Sequence, residues 1–386
     1  MNRRLKMGMV GGGRGAFIGG VHRIAAAIDG KIELVCGAFS STPEKSKASA
    51  ADLLIPPDRA YGTYQEMIRA EAKRPAGDRM DFVAIVTPNS THFPIAMAAL
   101  SAGFHVICDK PMTMTLDQAL KLEAKVKQTG LLFALTHNYT GNAMVKAARE
   151  LVRSGQLGKV RRIVSEYPQG WLATRLESSG QKQAGWRTDP KLAGGTCCIG
   201  DIGSHAENLA EYITGLKIKE LCADLATFVK GRPLDDDGSI LAHFENGAQG
   251  IIWASQIAIG CENGLNIRVY GEKGSLEWHQ QEPNSLIVDW LDKPREIRRT
   301  ATPFAGAAAS AVSRIPAGHP EGYLEAFANI YRNFANAVEA KRAGKKVVEE
   351  KYDYPTVHDG VRGMAFLETV VKSNKKGSVW TPMPKI

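Results

Sequence analysis

The chain has 386 residues and a formal net charge of +9, with 44% hydrophobic and 23% charged residues. This length exceeds one compact core of the commonest size, so two domains are expected. The longest apolar runs are strand-sized, far below the roughly 20 residues of a membrane-spanning helix. No apolar segment with a cleavage site follows the first residues, so we expect a cytoplasmic protein without membrane association.

Charge and cysteine usage exclude two further classes of protein. The lysines and arginines are dispersed and form no basic stripe, so no nucleic-acid partner is predicted. The six cysteines lack the paired spacing of a zinc site, and no metal is predicted. Scattered cysteines within apolar runs are typical of a reducing compartment.

Strands and helices alternate in the first part of the chain. This order predicts an α/β domain over residues 1–138, in which a doubly wound parallel sheet is covered by helices on both faces. The strands are predicted at 6–10, 32–39, 82–87, 104–108 and 131–135, and the helices at 18–28, 63–71, 92–102 and 116–127.

The pattern changes after residue 159, where strand-like segments follow one another. Turn signals between them suit hairpins, so residues 139–386 are predicted to form an α+β domain with a large antiparallel sheet. Two helices close this domain, and the long unpatterned segment 167–192 is expected to be a functional loop. The predicted strands are 160–166, 221–228, 239–244, 248–257, 265–270, 275–278 and 286–290, and the helices are 324–342 and 357–371.

A glycine-rich loop directly follows the first strand and opens a helix. Gly11, Gly13 and Ala16 fit the pattern G-x-G-x-x-G/A. Glycine permits the tight turn and lets the backbone approach a pyrophosphate, which then sits on the helix N-terminus. The arrangement therefore predicts a dinucleotide site, although an isolated glycine cluster also fits a simple turn. The neighbours expected beside the cofactor are Arg14, Phe17 and Ile18.

The end of the second strand leaves the choice of cofactor open between NAD and NADP. An acidic side chain there would select NAD through the ribose 2′-hydroxyl, but no carboxylate precedes Glu44. Ser40 and Ser41 suit a hydroxyl or a phosphate, and Lys45 with Lys47 would favour a 2′-phosphate. The two serines also fit a simple helix N-cap.

Polar residues follow the later strands at the carboxyl edge, where open α/β sheets bind ligands. Lys110 could hold a substrate hydroxyl and stabilise a developing oxyanion; a solvated lysine in a connecting loop is the alternative. The groups concerned are Thr87-Pro88-Asn89 with His92, then Asp109-Lys110-Pro111, then His137-Asn138-Tyr139.

Asp201 and His205 are spaced by four residues at the start of a predicted helix, which puts them on one face. Oxidation of a carbinol requires a base for the hydroxyl proton, and histidine titrates near the working range. Asp201 could cap the helix, orient the imidazole or contact a second hydroxyl. An aspartate cap with an incidental histidine is the simpler alternative.

In this order the motifs resemble the Gfo/Idh/MocA family of sugar and polyol oxidoreductases. The resemblance implies an N-terminal Rossmann domain, a C-terminal open sheet that supports homodimers or homotetramers, and catalysis by Lys110, Asp201 and His205. It also implies that Trp186-Arg187 reaches the nicotinamide. Two departures stand out: Asp109 replaces the usual glutamate, and the glycine loop is longer than usual before His22.

We therefore expect hydride transfer between a nicotinamide and a carbinol of a sugar, sugar acid or polyol, with Lys110 and His205 converging beside the nicotinamide. A glycosidase working by transient oxidation, possibly on an acidic sugar, and a non-enzymatic dinucleotide sensor are the alternatives. Further substrate contacts are predicted at His137, Tyr139, Arg175, Lys182, His319 and Tyr323.

Overall fold

A computed structural model describes residues 3–386; Met1 and Asn2, at the start of the predicted first domain, lie outside the described residues. The chain divides into two compact units. The first unit comprises the residues up to 138 together with 327–361, and the second comprises 139–326 and 362–386. The sequence prediction differs in one respect, because it placed residues 327–361 in the second domain.

The first unit contains a five-stranded sheet in the order β2-β1-β3-β4-β5, and all pairs are parallel. An isolated parallel bridge between Gly37 and Ala60 lies beyond β2, at the place of the additional strand of a dinucleotide-binding sheet. The predicted doubly wound parallel sheet is confirmed. The strands are β1 Leu5–Gly11, β2 Ile32–Ala38, β3 Phe82–Val86, β4 His105–Cys108 and β5 Phe133–Leu135.

The strand order reverses beside β1, which is where open α/β sheets bind ligands. Every residue of β3 is buried, as expected of a parallel strand covered on both faces. The residues that follow β1, β3, β4 and β5 therefore share one edge of the sheet. The helices between the strands are α1 Phe17–Ile28, α2 Pro43–Asp52, α3 Tyr64–Lys73, α4 His92–Ser101 and α5 Leu116–Thr129.

The second unit contains a nine-stranded sheet in the order β13-β12-β11-β10-β6-β9-β8-β7-β14. Its pairs are antiparallel except for β6 with β9, so the predicted antiparallel sheet is confirmed. Burial alternates along β8, so the sheet has one buried face and one open face. The strands are β6 Arg162–Pro168, β7 Ile218–Ala226, β8 Asp237–Phe244, β9 Gln249–Ser255, β10 Asn266–Tyr270, β11 Gly274–His279, β12 Ser285–Trp290, β13 Glu296–Arg299 and β14 Thr381–Pro382.

Helices flank this sheet and close the chain. A π-helical turn at Ile199–Gly203 leads directly into α9, and α9 packs on α6 and on β6. Within residues 3–386, no helix combines the length and the apolar character needed to cross a bilayer. The remaining helices are α6 Ala143–Arg153, α7 Lys182–Arg187, α8 Pro190–Ala193, α9 Ser204–Thr214, α10 Ala307–Ser310, α11 Tyr323–Arg342 and α12 Val357–Lys375.

Residues 327–361 belong to the first unit because their apolar face packs there. The Phe334 ring meets the Phe82 ring of β3 edge-on, with centroids 5.4 Å apart. Thr356 forms an antiparallel bridge with Ala134, next to the end of β5. The predicted helix is present, but its amphipathic pattern gives no information on which sheet it covers.

Candidate functional site

The glycine loop after β1 is held by close backbone packing. Gly11 and Gly12 have φ angles of 84° and 72°, in the left-handed region that favours glycine. A Cβ atom on Gly19 would lie 2.3 Å from Gly12 Cα, so the start of α1 approaches the loop closely only because both residues are glycine. The packing role of the third fingerprint glycine therefore belongs to Gly19, and the assignment to Ala16 is corrected. In the sequence, the extra length of the glycine loop before His22 is the feature that indicates this later glycine.

Backbone amides lie at the start of α1 and along the loop. Ala16 is the N-cap, and no side chain among the described residues caps the helix. The Gly13 N–H donates to Phe39 O (3.1 Å), which fixes the loop against the end of β2. Phe17 is 67% exposed at the first helical position. A tight glycine turn leading into an uncapped helix fits the pyrophosphate of a dinucleotide.

The serines at the end of β2 do not cap α2. The N-cap residue is Thr42, and its side chain makes no capping hydrogen bond within the part of the chain that the structure describes. The Phe39 N–H instead donates to Ser46 Oγ (2.8 Å) inside α2. Ser41 is exposed and Ser40 is half-buried, so the N-cap interpretation of these two residues is wrong. Lys45 is also exposed, in the first turn of α2.

His92 joins the ends of β3 and β4. Its ring is buried, and its two nitrogens lie 2.8 Å from Thr87 O and 2.9 Å from Pro111 O. Thr91 Oγ1 donates to Thr87 Oγ1 (2.7 Å) in the same turn, where Asn89 is also buried. These contacts connect the loops that carry Thr87-Pro88-Asn89 and Lys110.

Asp109 organises the end of β4. Its Oδ1 accepts from the Lys110 N–H (2.9 Å) and from Thr136 Oγ1 (2.7 Å). Its Oδ2 lies 3.9 Å from Nε2 of His22, a buried ring nitrogen with no hydrogen-bond partner among the described residues. Burial lowers the pKa of His22 to about 4, so this imidazole is neutral at pH 7.

His137, at the end of β5, lies in the same electrostatic environment. Burial, together with the charge of Lys110, lowers its pKa to about 3. The first unit thus brings together the predicted residues Asp109, Lys110 and His137 at the carboxyl edge of its sheet. Asn138, beside them, is also buried.

In the second unit, Asp201 lies inside the π-helical turn rather than at a helix N-cap. Its Oδ2 accepts from Arg187 Nε and from Gln256 Nε2, each at 2.9 Å. Two donors, one of them charged, hold this carboxylate in position one turn before His205. π-helical turns are frequent at functional sites. The cap interpretation of Asp201 is therefore wrong.

Arg187 and Trp186 are engaged within the second unit. The guanidinium stacks over the Trp186 ring (4.2 Å to the centroid) and donates to Gln183 Oε1 (2.7 Å). The Trp186 indole N–H donates to the same oxygen (3.2 Å). The observed contacts of Arg187 therefore position Asp201, a role that the sequence motif did not indicate.

A phenol and amide network lies beside His205. The Tyr139 ring meets the imidazole edge-on at a centroid distance of 4.8 Å, and the Tyr139 and Tyr167 hydroxyls are 2.5 Å apart. Tyr167 donates to Asn263 Oδ1 (2.6 Å). Burial raises the pKa of Tyr167, so the phenol stays neutral. Tyr323 approaches Tyr139 with ring centroids 6.2 Å apart.

Three residues of this site were not predicted from the sequence, and for only one of them did the sequence contain a feature that pointed to a functional role. Tyr167 begins the long segment that we predicted to be functional. Gln256 directly follows β9, and Asn263 lies in an irregular turn, so neither belongs to a recognisable motif. Arg175, Lys182 and His319, predicted as substrate contacts, are exposed.

Comparison with known proteins agrees with this geometry. Residues 5–137 match the oxidoreductase family with an NAD-binding Rossmann fold, and residues 145–277 match the GFO/IDH/MocA C-terminal domain. The chain belongs to the Gfo/Idh/MocA family of oxidoreductases. The predicted family is therefore confirmed, and the first unit contains an NAD-binding Rossmann domain.

Relatives of this Gfo/Idh/MocA chain match it over nearly its whole length. The uncharacterized oxidoreductase YfiI of Bacillus subtilis is 36% identical over 98% of this chain and 97% of its own length. An inositol dehydrogenase homolog from Azotobacter vinelandii, complexed with NAD⁺, has 36% identity and a TM-score of 0.95, covering 98% and 97% of the two chains. The structure of that homolog complexed with NADH and myo-inositol has 34% identity and a TM-score of 0.92, covering 98% of each chain.

A more distant relative has a solved structure with a sugar in place of the polyol. Levoglucosan dehydrogenase, in complex with NADH and L-sorbose, is 25% identical with a TM-score of 0.84 and full coverage of both chains. This chain is therefore an oxidoreductase whose structural relatives are complexed with NADH and a polyol or a sugar.

Proposed function

We propose that this protein is an NAD-dependent dehydrogenase that oxidises a carbinol of a neutral polyol or sugar. The observation that carries the proposal is the Asp201 carboxylate, held by Arg187 and Gln256 one turn before His205. A dinucleotide sensor has no need of a positioned acid and an imidazole base. The myo-inositol and L-sorbose complexes of the structural relatives support the class of substrate.

Each of three residues has a distinct role in the proposed reaction. His205 accepts the hydroxyl proton at an imidazole nitrogen, as a general base. The Lys110 ammonium stabilises the negative charge that develops on the substrate oxygen. Asp201 accepts a hydrogen bond from a substrate hydroxyl and fixes the ring. NAD, when bound beside the glycine loop, supplies the acceptor for the hydride.

Charge pairing favours a neutral substrate over an acidic sugar. Arg187 is already compensated by Asp201, and the buried Arg232 donates to Glu177 at 3.0 Å and to Asp236 at 3.3 Å. Besides Asp201, the groups described near His205 are the phenols of Tyr139 and Tyr167 and the amide of Asn263, which recognise hydroxyls by hydrogen bonding. The exposed Arg175 and Lys182 stay predicted contacts at the margin of the site.

The test is a substrate screen with NAD over inositols, hexoses, uronates and glycosides. Lys110→Ala and His205→Ala are each expected to lower kcat at least a hundredfold, because positioned acid, base and oxyanion groups contribute about 10²-fold or more. NADH affinity, measured by fluorescence titration, should change little. Lys121→Ala, at an exposed position of α5, is the matched control. Wild-type rates in both variants would refute the role assignment.

The same screen separates the alternatives. Net NADH formation with a free polyol identifies a dehydrogenase. Release of an aglycone without net change in NAD identifies the glycosidase acting by transient oxidation. Nucleotide binding without turnover of any compound identifies a sensor. Greater turnover of a uronate than of inositols and hexoses would contradict the proposed neutral substrate.

We further propose that the open face of the nine-stranded sheet carries self-association into a dimer or tetramer. Leu241 and Ile251 are cross-strand partners on this face, as are Ile287 and Ile297. Leu241 is 47% exposed and Ile297 is 62% exposed. Two exposed apolar cross-strand pairs on one open sheet face support its role as a protein interface.

Mass measurement by light scattering tests this assembly. The double variant Leu241→Asp with Ile297→Asp is expected to be monomeric, because four carboxylates would be buried for every two subunits. Leu54→Asp provides the control, since Leu54 is 90% exposed in the first unit. An unchanged mass in the double variant would place the interface elsewhere.

A further inference from the structure

Arg14 belongs to the glycine loop, whose backbone contacts the end of β2, where the cofactor's adenosine ribose is expected. The Gly13 N–H donates to Phe39 O, directly after β2, and Arg14 is the next residue. In Rossmann domains an acid at this strand end favours NAD, and a nearby arginine accommodates the 2′-phosphate of NADP. This chain has no carboxylate between the end of β2 and Glu44. Selectivity between NAD and NADP in this chain must therefore depend on another charged group.

Arg14 is held at two points by α2. Its backbone N–H donates to Ser49 Oγ (3.1 Å), and its guanidinium forms a fork with Asp52, from Nε to Oδ2 (2.5 Å) and from Nη2 to Oδ1 (2.7 Å). Asp52 is the last residue of α2. The side chains are 63% and 50% exposed, so the guanidinium is accessible to a solute anion.

The fork matches the geometry by which arginine binds a phosphate. Guanidinium groups bind carboxylates and phosphates through the same pair of parallel N–H donors. Asp52 and a 2′-phosphate are thus alternative partners of one group. Hydrogen bonding to Arg14 lowers the pKa of Asp52, which stays ionised at neutral pH and repels a second anion.

We propose that Arg14 and Asp52 together set the choice between NAD and NADP in this protein. Asp52 occupies Arg14 and supplies the negative charge that the end of β2 lacks, so a 2′-hydroxyl is favoured and a 2′-phosphate binds only by displacing Asp52. The Ser40 and Ser41 hydroxyls are neutral and can hydrogen-bond to the adenosine ribose of NAD or of NADP. The inference rests on the proposed cofactor site, and its test is chosen to be independent of turnover.

Isothermal titration calorimetry with 5′-AMP and 2′,5′-ADP tests the inference without any reaction. These nucleotides are the adenosine halves of NAD and NADP. Asp52→Asn keeps the shape of the side chain but removes its charge. It is expected to raise the affinity for 2′,5′-ADP at least fivefold while the affinity for AMP changes less than twofold. The gain should shrink as salt is raised, because the exposed charges are screened.

Two further variants assign the effect to Arg14. Arg14→Ala combined with Asp52→Asn should lose the whole gain, because no guanidinium remains to bind the phosphate. Lys121→Ala combined with Asp52→Asn is the control and should keep the gain, because Lys121 lies at an exposed position of α5. Survival of the gain with Arg14→Ala would overturn the proposal.

The outcomes also separate this inference from the proposed function. If AMP binds wild type and Asp52→Asn equally and 2′,5′-ADP shows no gain, the selectivity proposal fails while the cofactor site stands. If neither AMP nor NADH binds the wild-type protein, the proposed cofactor site fails, and this inference fails with it. The thermal unfolding midpoint of each variant confirms that the exposed substitutions leave the fold intact.

Discussion

Gly19 and Gly20 are adjacent in α1 but differ in how much space a side chain would have. A Cβ atom on Gly19 would meet the backbone of Gly12, whereas one on Gly20 would meet no described atom within 4 Å. Gly19→Ala is therefore expected to lower the free energy of unfolding by about 1–3 kcal/mol through overpacking, and to weaken NADH binding. Urea unfolding and fluorescence titration measure the two effects.

The neighbouring position provides the control for Gly19→Ala. Gly20→Ala should leave NADH binding unchanged and raise the free energy of unfolding by about 0.5–1 kcal/mol, because alanine is the better helix former. Equal effects of the two substitutions would contradict the close approach of α1 to the glycine loop.

A second prediction about a single residue concerns Gln256. Its side-chain amide donates to Asp201 Oδ2 from a buried position. Gln256→Leu removes a hydrogen bond to a charged group, which is worth about 1.5–3 kcal/mol, so kcat should fall about tenfold to a hundredfold with the proposed substrate. Gln249→Leu, at an exposed position of β9, is the matched control and should keep full activity. Equal kcat values in both variants would show that Asp201 needs no support from Gln256.

The distance along the chain explains which site residues could be found from the sequence. Asp201 and His205 share a local spacing that can be read directly, and Lys110 is the second residue after β4. Gln256 meets Asp201 across 55 positions, and Asn263 meets Tyr167 across 96. Such partners are set by the registers of β6 and β9 and by the turns beyond them, which no local pattern encodes.

The helix α11 illustrates the same limit for a whole element. Its amphipathic pattern predicted a helix correctly but not the partner of its apolar face, which includes Phe334 against β3. The strands β13 and β14 were missed for another reason. β13 reads Glu-Ile-Arg-Arg at the edge of the sheet, and β14 has two residues, one of them proline. Charge and proline at sheet edges prevent further pairing and also hide the strand from hydrophobic periodicity.

The attachment of α11 depends partly on one hydrogen bond. The Tyr331 hydroxyl lies 2.8 Å from His22 Nδ1, and both side chains are buried. Tyr331→Phe would remove the hydrogen bond at Nδ1 and leave the buried imidazole without one to any described residue, so the free energy of unfolding should fall by about 1–3 kcal/mol. Tyr270→Phe, at a 41% exposed tyrosine, should have no effect in the same urea titration. Equal stability of the two variants would show that this bond contributes nothing.

The whole molecule should be destabilised by mild acid. Burial lowers the pKa of His22 and of His105 to about 4 and that of His137 to about 3. Below pH 6.5 the unfolded chain binds protons that the folded chain does not. The free energy of unfolding should therefore fall by about 1.4 kcal/mol per histidine for each pH unit between pH 6.5 and about 4.

Urea titrations at pH 5, 6, 7 and 8 measure this dependence. His105→Asn keeps an acceptor for the Leu132 N–H, which the ring Nδ1 accepts at 2.9 Å. This variant removes one titrating group, so the slope below pH 6.5 should decrease by about 1.4 kcal/mol per pH unit. An unchanged slope would mean that His105 takes up its proton equally in both states.

Residues 327–361 belong to the first unit but are synthesised after residues 139–326 of the second, and this order affects folding during synthesis. A ribosome releases the complete parallel sheet early, yet the helix that covers Phe82 is synthesised almost two hundred residues after residue 138. Until then the nascent chain exposes an apolar sheet surface, a natural target for chaperones. A fragment ending at residue 138 should aggregate, and adding the segment 327–361 through a flexible linker should keep it monodisperse.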